Sequence, residues 1–327
     1  MIRKITPKKL WNAVKVYLSF WFSIFLKRPL HWGMPLSLSV EPTTSCNLRC
    51  LECPVGQKQL QRPAGNMRPE LFRSCIDQLS DTLIYLMLYF QGEPFLYPGI
   101  IDMIRYASEK GIYTAVSTNG HHLDKDMARQ IVPSGLDRLI VSLDGASQDT
   151  YEKYRAGGTF EKVVEGLDNL AGMKRVLNSR KPFLEIQFLV MGHNEHEIPE
   201  IRALGKKFGI PVTLKTIQIY NLEKNVRLIP QNPFYSRYIK DVHGNFVIKS
   251  RLPNRCFRMW SGAVMTWDGM VVPCCFDKNA DHVMGTINSS EFREIWKGKN
   301  YAEFRLGILT CRECIDICRN CTEGLSN

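Results

Sequence analysis

The sequence predicts an α/β protein in two parts: a partial (βα)6 TIM-like barrel, followed by a small cysteine-rich domain made of a hairpin and a helix. Two observations support this prediction. Strand-like apolar runs alternate with helical patterns along most of the chain, and closely spaced cysteines replace that alternation toward its end. We expect an N-terminal helix within residues 1–35, the barrel within 36–245 and the cysteine-rich domain within 246–327.

Six apolar runs are the strand candidates of the barrel. They occupy residues 36–41, 83–90, 112–117, 138–143, 184–191 and 212–218. Helical patterns separate them near residues 69–80, 98–110, 123–132, 160–177 and 196–208. Strands that alternate with helices form parallel βαβ units, and barrels of such units carry their active sites at the carboxyl ends of the strands. The residues that directly follow each strand are therefore the candidates for function.

The chain of 327 residues carries a net charge of +11, while its hydrophobic and charged fractions are those of an ordinary globular protein. Such a charge suits an anionic partner, a membrane surface or a nucleic acid. Beyond the first 30 residues, the basic side chains are mixed with acidic ones, so no basic stripe for a nucleic acid is evident. We therefore expect no nucleic-acid partner.

Residues 8–27 form a strongly amphipathic helical pattern. Its polar arc consists of Lys8, Lys9, Asn12, Lys15, Ser19, Ser23 and Lys27. The wide opposite face consists of Leu10, Trp11, Val14, Tyr17, Trp21, Phe22 and Phe25. This pattern is typical of a helix that lies in the plane of a membrane surface, although a helix packed on the barrel is the alternative.

Neither a transmembrane span nor a signal peptide is favoured for this helix. Lys15 interrupts the apolar run, which disfavours a span, and no small-residue cleavage site follows it, which disfavours a signal peptide. We expect a cytoplasmic protein whose residues 8–27 either contact the inner face of the membrane or pack on the barrel.

Eleven cysteines occur in two groups, with Cys75 alone between them. Their odd number and short spacings indicate metal ligands in a reducing compartment rather than disulfides, and Cys75, in a helical pattern, is expected in the core. Cys46, Cys50 and Cys53 directly follow the first strand with the spacing C-x3-C-x2-C. Three thiolates on one loop suit three corners of a 4Fe–4S cubane and leave the fourth iron open to a small molecule. Zinc is the alternative, but a structural zinc site normally has a fourth ligand nearby.

The C-x3-C-x2-C motif in this position resembles that of the radical S-adenosylmethionine (SAM) family. Motifs after the next four strands resemble that family in the same order: Gln91-Gly92-Glu93-Pro94, Ser117-Thr118-Asn119-Gly120, Ser142-Leu143-Asp144-Gly145 with Arg155 beyond it, and Leu189-Val190-Met191-Gly192. Each motif alone is weak evidence for the family. The specific signal is that all of them follow successive strands in the order that the family shows. There are two departures, because Gln91 replaces the family's first Gly and Glu52 replaces an aromatic residue before the third cysteine.

The resemblance also implies which residues bind SAM. Gly92 and Glu93 would engage its amino group, and Asn119 would lie near its ribose. Ser142 and Arg155 would hold the methionine carboxylate, for which the guanidinium fork is suited. The backbone at Val190 would pack on the adenine.

The tail reads as a β-hairpin with its turn at Asp268-Gly269, and then as a helix with Ser289 or Ser290 as its N-cap. It resembles the SPASM/twitch extension of radical SAM enzymes, which binds auxiliary 4Fe–4S clusters. The resemblance favours one auxiliary cluster, with the ligands Cys256, Cys274, Cys318 and Cys321. The alternate ligands are Cys311, Cys314 and Cys275. A zinc site in the same place is the alternative.

The resemblance implies an enzyme that cleaves SAM reductively to a 5′-deoxyadenosyl radical, which abstracts hydrogen from a substrate. An auxiliary cluster suggests net oxidation, and an electron donor such as flavodoxin or ferredoxin would supply the first electron. The alternatives are a peptide- or protein-modifying maturase and, in a different class, a non-catalytic iron–sulfur electron-transfer protein. Peptide-modifying relatives often carry an added leader-binding domain, and the roughly 35 residues before the first strand are too few for one. This weakens the hypothesis of a peptide-modifying enzyme. No residue identifies the substrate or a general base.

Overall fold

The computed structural model describes residues 4–249 and 251–321. Its helices are α1 (Pro7–Leu26), α2 (Pro69–Leu79), α3 (Ile100–Glu109), α4 (Lys125–Ile131), α5 (Gln148–Glu152), α6 (Phe160–Val176), α7 (Ile198–Phe208), α8 (Leu222–Asn225), α9 (Arg258–Ser261), α10 (Phe292–Lys297) and α11 (Lys299–Cys311). Its strands are β1 (Ser37–Val40), β2 (Tyr85–Met87), β3 (Tyr113–Thr118), β4 (Arg138–Ser142), β5 (Phe183–Val190), β6 (Val212–Thr216), β7 (Tyr238–Lys240), β8 (Phe246–Ile248), β9 (Gly262–Met265), β10 (Met270–Val272) and β11 (Gly285–Thr286). Every strand and helix predicted for the barrel is present, which confirms the α/β alternation.

The chain divides into two compact units. The first comprises Met1–Ser45, Gln61–Thr114 and Ser250–Asn327. In it, β1 pairs in parallel with both β2 and β9, and antiparallel pairing continues from β9 through β10 to β11. The tail therefore extends the same sheet that contains the first strand.

The second unit comprises Cys46–Leu60 and Ala115–Lys249. Its sheet runs from the end of β3 through β4 and β5 to β6, with every pair parallel. Because parallel strands all end at one edge of a sheet, the loops that follow them emerge together. A short ribbon, β7 paired with β8, has no counterpart in the sequence prediction, since strands of three residues are too short to show an alternating pattern.

Helix α1 confirms the predicted N-terminal helix, and it is the polar arc that attaches it to the first unit. Lys9, Asn12, Ser19 and Ser23 are buried, whereas the aromatic face is exposed. The buried polar groups have partners, since Lys9 Nζ donates to the carbonyl of Gly111 at 2.7 Å. None of the helices in the described ranges is long and apolar enough to cross a membrane.

Two local predictions about the core and the tail are confirmed. Cys75 is fully buried, and that burial raises the pKa of its thiol to about 12. The hairpin turns at Asp268-Gly269, where Gly269 has a φ of 89°. The amide of Thr266 donates across the turn to the carbonyl of Met270 at 2.9 Å.

The predicted cap of the tail helix is wrong. Helix α10 is capped by Glu291, which forms a capping box with Glu294. Ser289 and Ser290 belong to the preceding turn, where the amide of each donates to the carbonyl of Thr286. The reciprocal bonds of the two glutamates satisfy amides at the start of the helix, so a serine cap one or two residues earlier is unnecessary.

Candidate functional site

The loop that carries Cys46, Cys50 and Cys53 belongs to the second unit. Leu48 is buried beside Tyr154 in an apolar cluster that also contains Cys50. The loop backbone is tied to the turn after α5, because the amide of Leu51 donates to the carbonyl of Tyr154 at 3.3 Å. The loop is thus anchored in its middle, while Cys46 and Cys53 are only half-buried.

Arg155 lies between the cysteine loop and a buried carboxylate. Its Nε and Nη2 both lie 2.6 Å from Oδ2 of Asp144, whose side chain is fully buried. Its Nη1 lies 4.0 Å from Sγ of Cys50. One edge of the guanidinium fork is therefore held by Asp144, and only Nη1 is directed toward the cysteines.

The other oxygen of Asp144 organises the strand end that follows. Its Oδ1 accepts a hydrogen bond of 2.7 Å from the amide of Leu189. Asn194 donates to the carbonyls of Asp144 and Leu189 at 3.0 and 2.9 Å. Val190, the predicted adenine contact, is fully buried at the end of β5 in this network, and Ser142 is buried at the end of β4. Asp144 and Asn194 are missing from the sequence prediction because their roles depend on distant backbone partners.

Asn119, at the end of β3, also contacts the cysteine loop. Its amide nitrogen donates to Oδ1 of Asn47 at 2.8 Å and lies 4.0 Å from Sγ of Cys46. Burial raises the pKa of the Cys50 thiol, and the nearby guanidinium of Arg155 acts in the opposite direction. The second unit thus brings together the three cysteines, Asn119 and Arg155, as the order of the motifs predicts.

Gly92 and Glu93 lie in the first unit, against the backbone that leads into the cysteine loop. The amide of Glu93 donates at 2.7 Å to the carbonyl of Ser45, the residue before Cys46. Gly92 has a φ of 74°, and a Cβ at this position would lie 2.3 Å from the carbonyl oxygen of Thr43. Both the backbone conformation and the close approach therefore require glycine here.

The two departures from the family pattern have structural counterparts. Glu52 is buried and accepts hydrogen bonds from the amide of Tyr220 at 2.7 Å and from the side chain of Asn225, so it secures the segment after β6. Gln91 donates to the carbonyl of Phe90, but its buried Oε1 has no hydrogen-bond partner among the described residues. An acceptor left in this state fits a ligand that donates a hydrogen bond, such as an amino group.

In the first unit, the tail gathers the four cysteines that the sequence prediction prefers. Cys256, Cys274, Cys318 and Cys321 are all buried, at 5–9% exposure. Burial raises the pKa of Cys318 to about 12, with further contributions from the neighbouring thiols of Cys321 and Cys256. Burial also raises the pKa of Cys274, where Cys275, Cys321 and Cys256 add to the effect.

The alternate cysteines are arranged differently. Cys311 and Cys314 are joined by a disulfide with an S–S distance of 2.04 Å, which corrects the expectation of metal ligands without disulfides. Cys275 is half-buried, and Arg258 Nη1 lies 3.5 Å from its sulfur.

Both groups of cysteines suit iron–sulfur chemistry by donor type. Within residues 4–249 and 251–321, no three His, Cys, Asp or Glu side chains converge closely enough to ligate a single metal ion. A cubane instead binds each thiolate at a different iron, so its ligands stand farther apart than those of one zinc ion. Arg312, fully buried, donates to the sulfur of Cys321 at 3.5 Å and places a positive charge where thiolates would gather.

Comparison with known proteins supports these assignments of fold and family. The sequence profile of the radical SAM superfamily matches residues 40–205, and that of the iron–sulfur cluster-binding SPASM domain matches residues 256–322. The "tungsten-containing aldehyde ferredoxin oxidoreductase cofactor-modifying protein" of Pyrococcus furiosus is 25% identical in an alignment of length 316, which covers 87% of this chain and 86% of that protein. Other curated relatives match over only about half of their own length.

Two solved structures share the fold. BtrN in complex with AdoMet and 2-DOIA has a TM-score of 0.55 at 21% identity, over 89% of this chain and 94% of that one. Streptococcus suis SuiB bound to its precursor peptide SuiA has a TM-score of 0.64 at 14% identity, over 90% of this chain and 71% of that one. These likenesses confirm the mostly parallel, TIM-like partial barrel. With its profile match over residues 40–205 and a SPASM domain at residues 256–322, the chain belongs to the radical SAM superfamily.

Proposed function

We propose that this protein is an enzyme that binds SAM at the cysteine loop and removes a hydrogen atom from a small-molecule substrate, with net oxidation of that substrate. The observation that carries the proposal is the position of Arg155, held by Asp144 with one nitrogen directed at Cys50. When bound, a 4Fe–4S cluster with SAM supplies a one-electron cleavage of the sulfonium and a 5′-deoxyadenosyl radical.

The residues of the chain bind and orient these groups. Cys46, Cys50 and Cys53 would ligate three irons of the cluster. The free edge of Arg155 and the hydroxyl of Ser142 would hold the carboxylate of SAM, since a charge-assisted hydrogen bond is the strongest contact available to that group.

The remaining contacts would surround the rest of the SAM molecule. Glu93 and the backbone at Gly92 would hold its amino group, with the unpaired oxygen of Gln91 as a further acceptor. Asn119 would lie beside the ribose, and Val190 beside the adenine. Such fixed contacts position the reacting atoms and exclude water.

In the tail, Cys256, Cys274, Cys318 and Cys321 would ligate one auxiliary 4Fe–4S cluster. All four are buried, and three of them share an apolar cluster with Phe20 and Trp260, an environment that influences the reduction potential of such a centre. A cluster held by these cysteines would supply a one-electron acceptor, so that loss of one electron and one proton after hydrogen-atom removal would leave the substrate oxidised.

The Pyrococcus furiosus relative is a cofactor-modifying protein by its name and covers most of the chain, and BtrN is solved with the small molecule 2-DOIA. Both favour a small organic substrate. The alternative is a peptide- or protein-modifying maturase, which the likeness to peptide-bound SuiB favours. In either case the enzyme would act in the cytoplasm with flavodoxin or ferredoxin as electron donor, and without a nucleic-acid partner.

The proposal is tested by SAM cleavage after anaerobic reconstitution with iron and sulfide and reduction by dithionite. The wild-type protein should form 5′-deoxyadenosine, and the variant with Cys46, Cys50 and Cys53 all replaced by Ala should form none. Cys75→Ala is the matched control, because that thiol is buried in the core of the first unit. Cleavage that persists in the triple variant would refute the site, and absence of cleavage in the wild type would favour a non-catalytic electron-transfer protein.

A further inference from the structure

Helix α1 is attached to the first unit by its polar side. Asn12 and Met34 exchange two hydrogen bonds of 2.9 and 2.8 Å, and Ser23 donates to the carbonyl of Leu30 at 2.9 Å. Val16 and Phe20 add apolar contacts to the core below the helix. These directed bonds fix which side of the helix faces outward.

The outward face is a continuous apolar surface. Its exposed side chains, here called the outer face, are Leu10, Trp11, Val14, Tyr17, Leu18, Trp21, Phe22, Phe25 and Leu26. Trp32 extends it, with its ring centroid 5.5 Å from that of Phe22, and Phe25 is 84% exposed. An apolar surface of this kind marks an interaction site rather than ordinary surface composition.

The charges around the outer face identify what covers it. Lys8 and Lys15 lie in helix α1, and Lys27 and Arg28 directly follow it. The first 30 residues contain no Asp or Glu. Basic residues beside exposed Trp, Tyr and Phe are the composition of helices that lie in the interface of an anionic bilayer. A second copy of this chain would bring the same positive charges together, and each copy already carries a net charge of +11, which disfavours association.

A cavity lies beside the aromatic side chains of this surface. Its volume is about 440 Å³, and Trp11 and Trp32 line it. Three cations, Lys8, Lys15 and Arg293, also line it, against two carboxylates. Lys8 is paired with Asp81 at 3.0 Å. The other two lining cations, Lys15 and Arg293, are therefore the candidates to contact an anionic headgroup.

We propose that helix α1 is an in-plane membrane anchor, whose outer face inserts at the boundary of headgroups and acyl chains of an anionic phospholipid bilayer. The cavity lined by Trp11, Trp32 and Lys15 receives the phosphate of a lipid headgroup. This inference concerns where the protein acts and does not depend on the function proposed above.

Cosedimentation of the full chain with vesicles tests the anchor. The wild type should bind vesicles of phosphatidylcholine mixed with phosphatidylglycerol, and bind vesicles of phosphatidylcholine alone more weakly. The double variant Trp21→Ser/Phe25→Ser should lose at least about tenfold in affinity for both, since two apolar side chains no longer leave water. Phe234→Ser/Val242→Ser, at two other exposed apolar positions, is the matched control and should bind as the wild type does.

A second pair of variants tests the charges. Lys15→Glu/Arg293→Glu should abolish the preference for anionic vesicles, whereas Arg202→Glu/Lys206→Glu, with the same change of net charge on α7, should keep it. Wild-type binding of vesicles by the Trp21/Phe25 variant would overturn the proposal. A variant that sediments as a monomer where the wild type sediments as a dimer, with unchanged vesicle binding, would show that the outer face is a dimer interface and would overturn the proposal. Displacement of the protein from vesicles by inorganic phosphate at the concentration of the lipid would also overturn it.

Discussion

The two cysteine sites of this chain differ in how far the protein encloses them. The loop of Cys46, Cys50 and Cys53 has two half-buried thiols and a single buried one, beside an ion pair. In the tail, Cys256, Cys274, Cys318 and Cys321 are all buried, and Arg312 is a neighbouring cation.

The difference corresponds to two kinds of chemistry. Three cysteines leave one iron of a cubane for a ligand that must enter and leave, and such a site has to remain accessible. Four cysteines can ligate all the irons of a cubane, and a cluster of that kind takes part only in electron transfer. The comparison therefore agrees with the proposed function, in which the loop is the site of reaction and the tail accepts an electron.

The largest effect on SAM cleavage is expected at Asp144, which lies outside the cysteine loop but holds Arg155 beside it. Asp144→Asn removes the carboxylate that holds Arg155, leaving a buried cation with a weaker partner. We expect SAM cleavage to fall by roughly tenfold to hundredfold, or about 1.4–2.8 kcal/mol, measured as 5′-deoxyadenosine per minute. Asp137→Asn, which breaks the ion pair of Asp137 with Lys181 in the same unit, should change it little. Equal losses in the two variants would assign Asp144 a purely structural role.

The next effect should distinguish the tail from the loop. Cys318→Ala removes one proposed ligand of the auxiliary cluster, and reconstituted iron should fall from about eight to about four per chain. Cys314→Ala, in the disulfide-bonded pair, should leave the iron content unchanged. If iron were lost in the Cys314 variant and kept in the Cys318 variant, the ligands of the auxiliary cluster would be Cys311 and Cys314 rather than Cys318 and Cys321. Far-ultraviolet circular dichroism verifies that both variants are folded.

A smaller effect is expected at the glycine that supports the entry to the loop. Gly92→Ala places a Cβ 2.3 Å from the carbonyl oxygen of Thr43 at a positive φ, whereas Gly111→Ala has a similar φ of 68° with open space around it. We expect the second change to cost about 1 kcal/mol of unfolding free energy and the first at least about 2 kcal/mol. Denaturant titration measures both, and equal costs would mean that the backbone at Thr43 moves away freely.

The last effect is absent at neutral pH, develops only in acid, and concerns the surroundings of the tail. His31 Nε2 contacts the carbonyl of Trp260 at 3.1 Å and its ring packs edge-on against Trp296, and burial lowers its pKa to about 3. Below pH 6.5, its ordinary pKa, His31 is protonated in the unfolded chain but not in the folded one. The stability that the folded protein gains from the neutral ring is therefore complete above pH 6.5. It is lost as the pH falls toward 3, by at most about 1.4 kcal/mol per pH unit.

The substitution His31→Gln tests this linkage. The variant should show a shallower decrease of unfolding free energy with falling pH than the wild type, in denaturant titrations at several pH values below neutrality. An unchanged slope would mean that the ring is protonated in the folded protein.

Much of the barrel could be predicted because periodicity and spacing are local properties. The six strands, the position of the cysteine loop after β1 and the order of the motifs all lie in short stretches of sequence. The role of Asp144, the hydrogen bonds of Glu52 and the unpaired oxygen of Gln91 could not be predicted, because they depend on residues from other segments. The cap at Glu291 was missed since serines nearby offer an equally good local signal.

The sequence by itself determined the fold class, the family and the two groups of cysteines, because each follows from residue types at fixed intervals. The tertiary structure alone decided that Cys311 and Cys314 pair with each other and which way helix α1 faces. A helical period defines two faces but not which of them meets the protein, since that depends on partners such as Gly111 and Met34 far along the chain. Contacts between distant segments have no signature in local spacing, and they are what closes one cysteine site and leaves the other accessible.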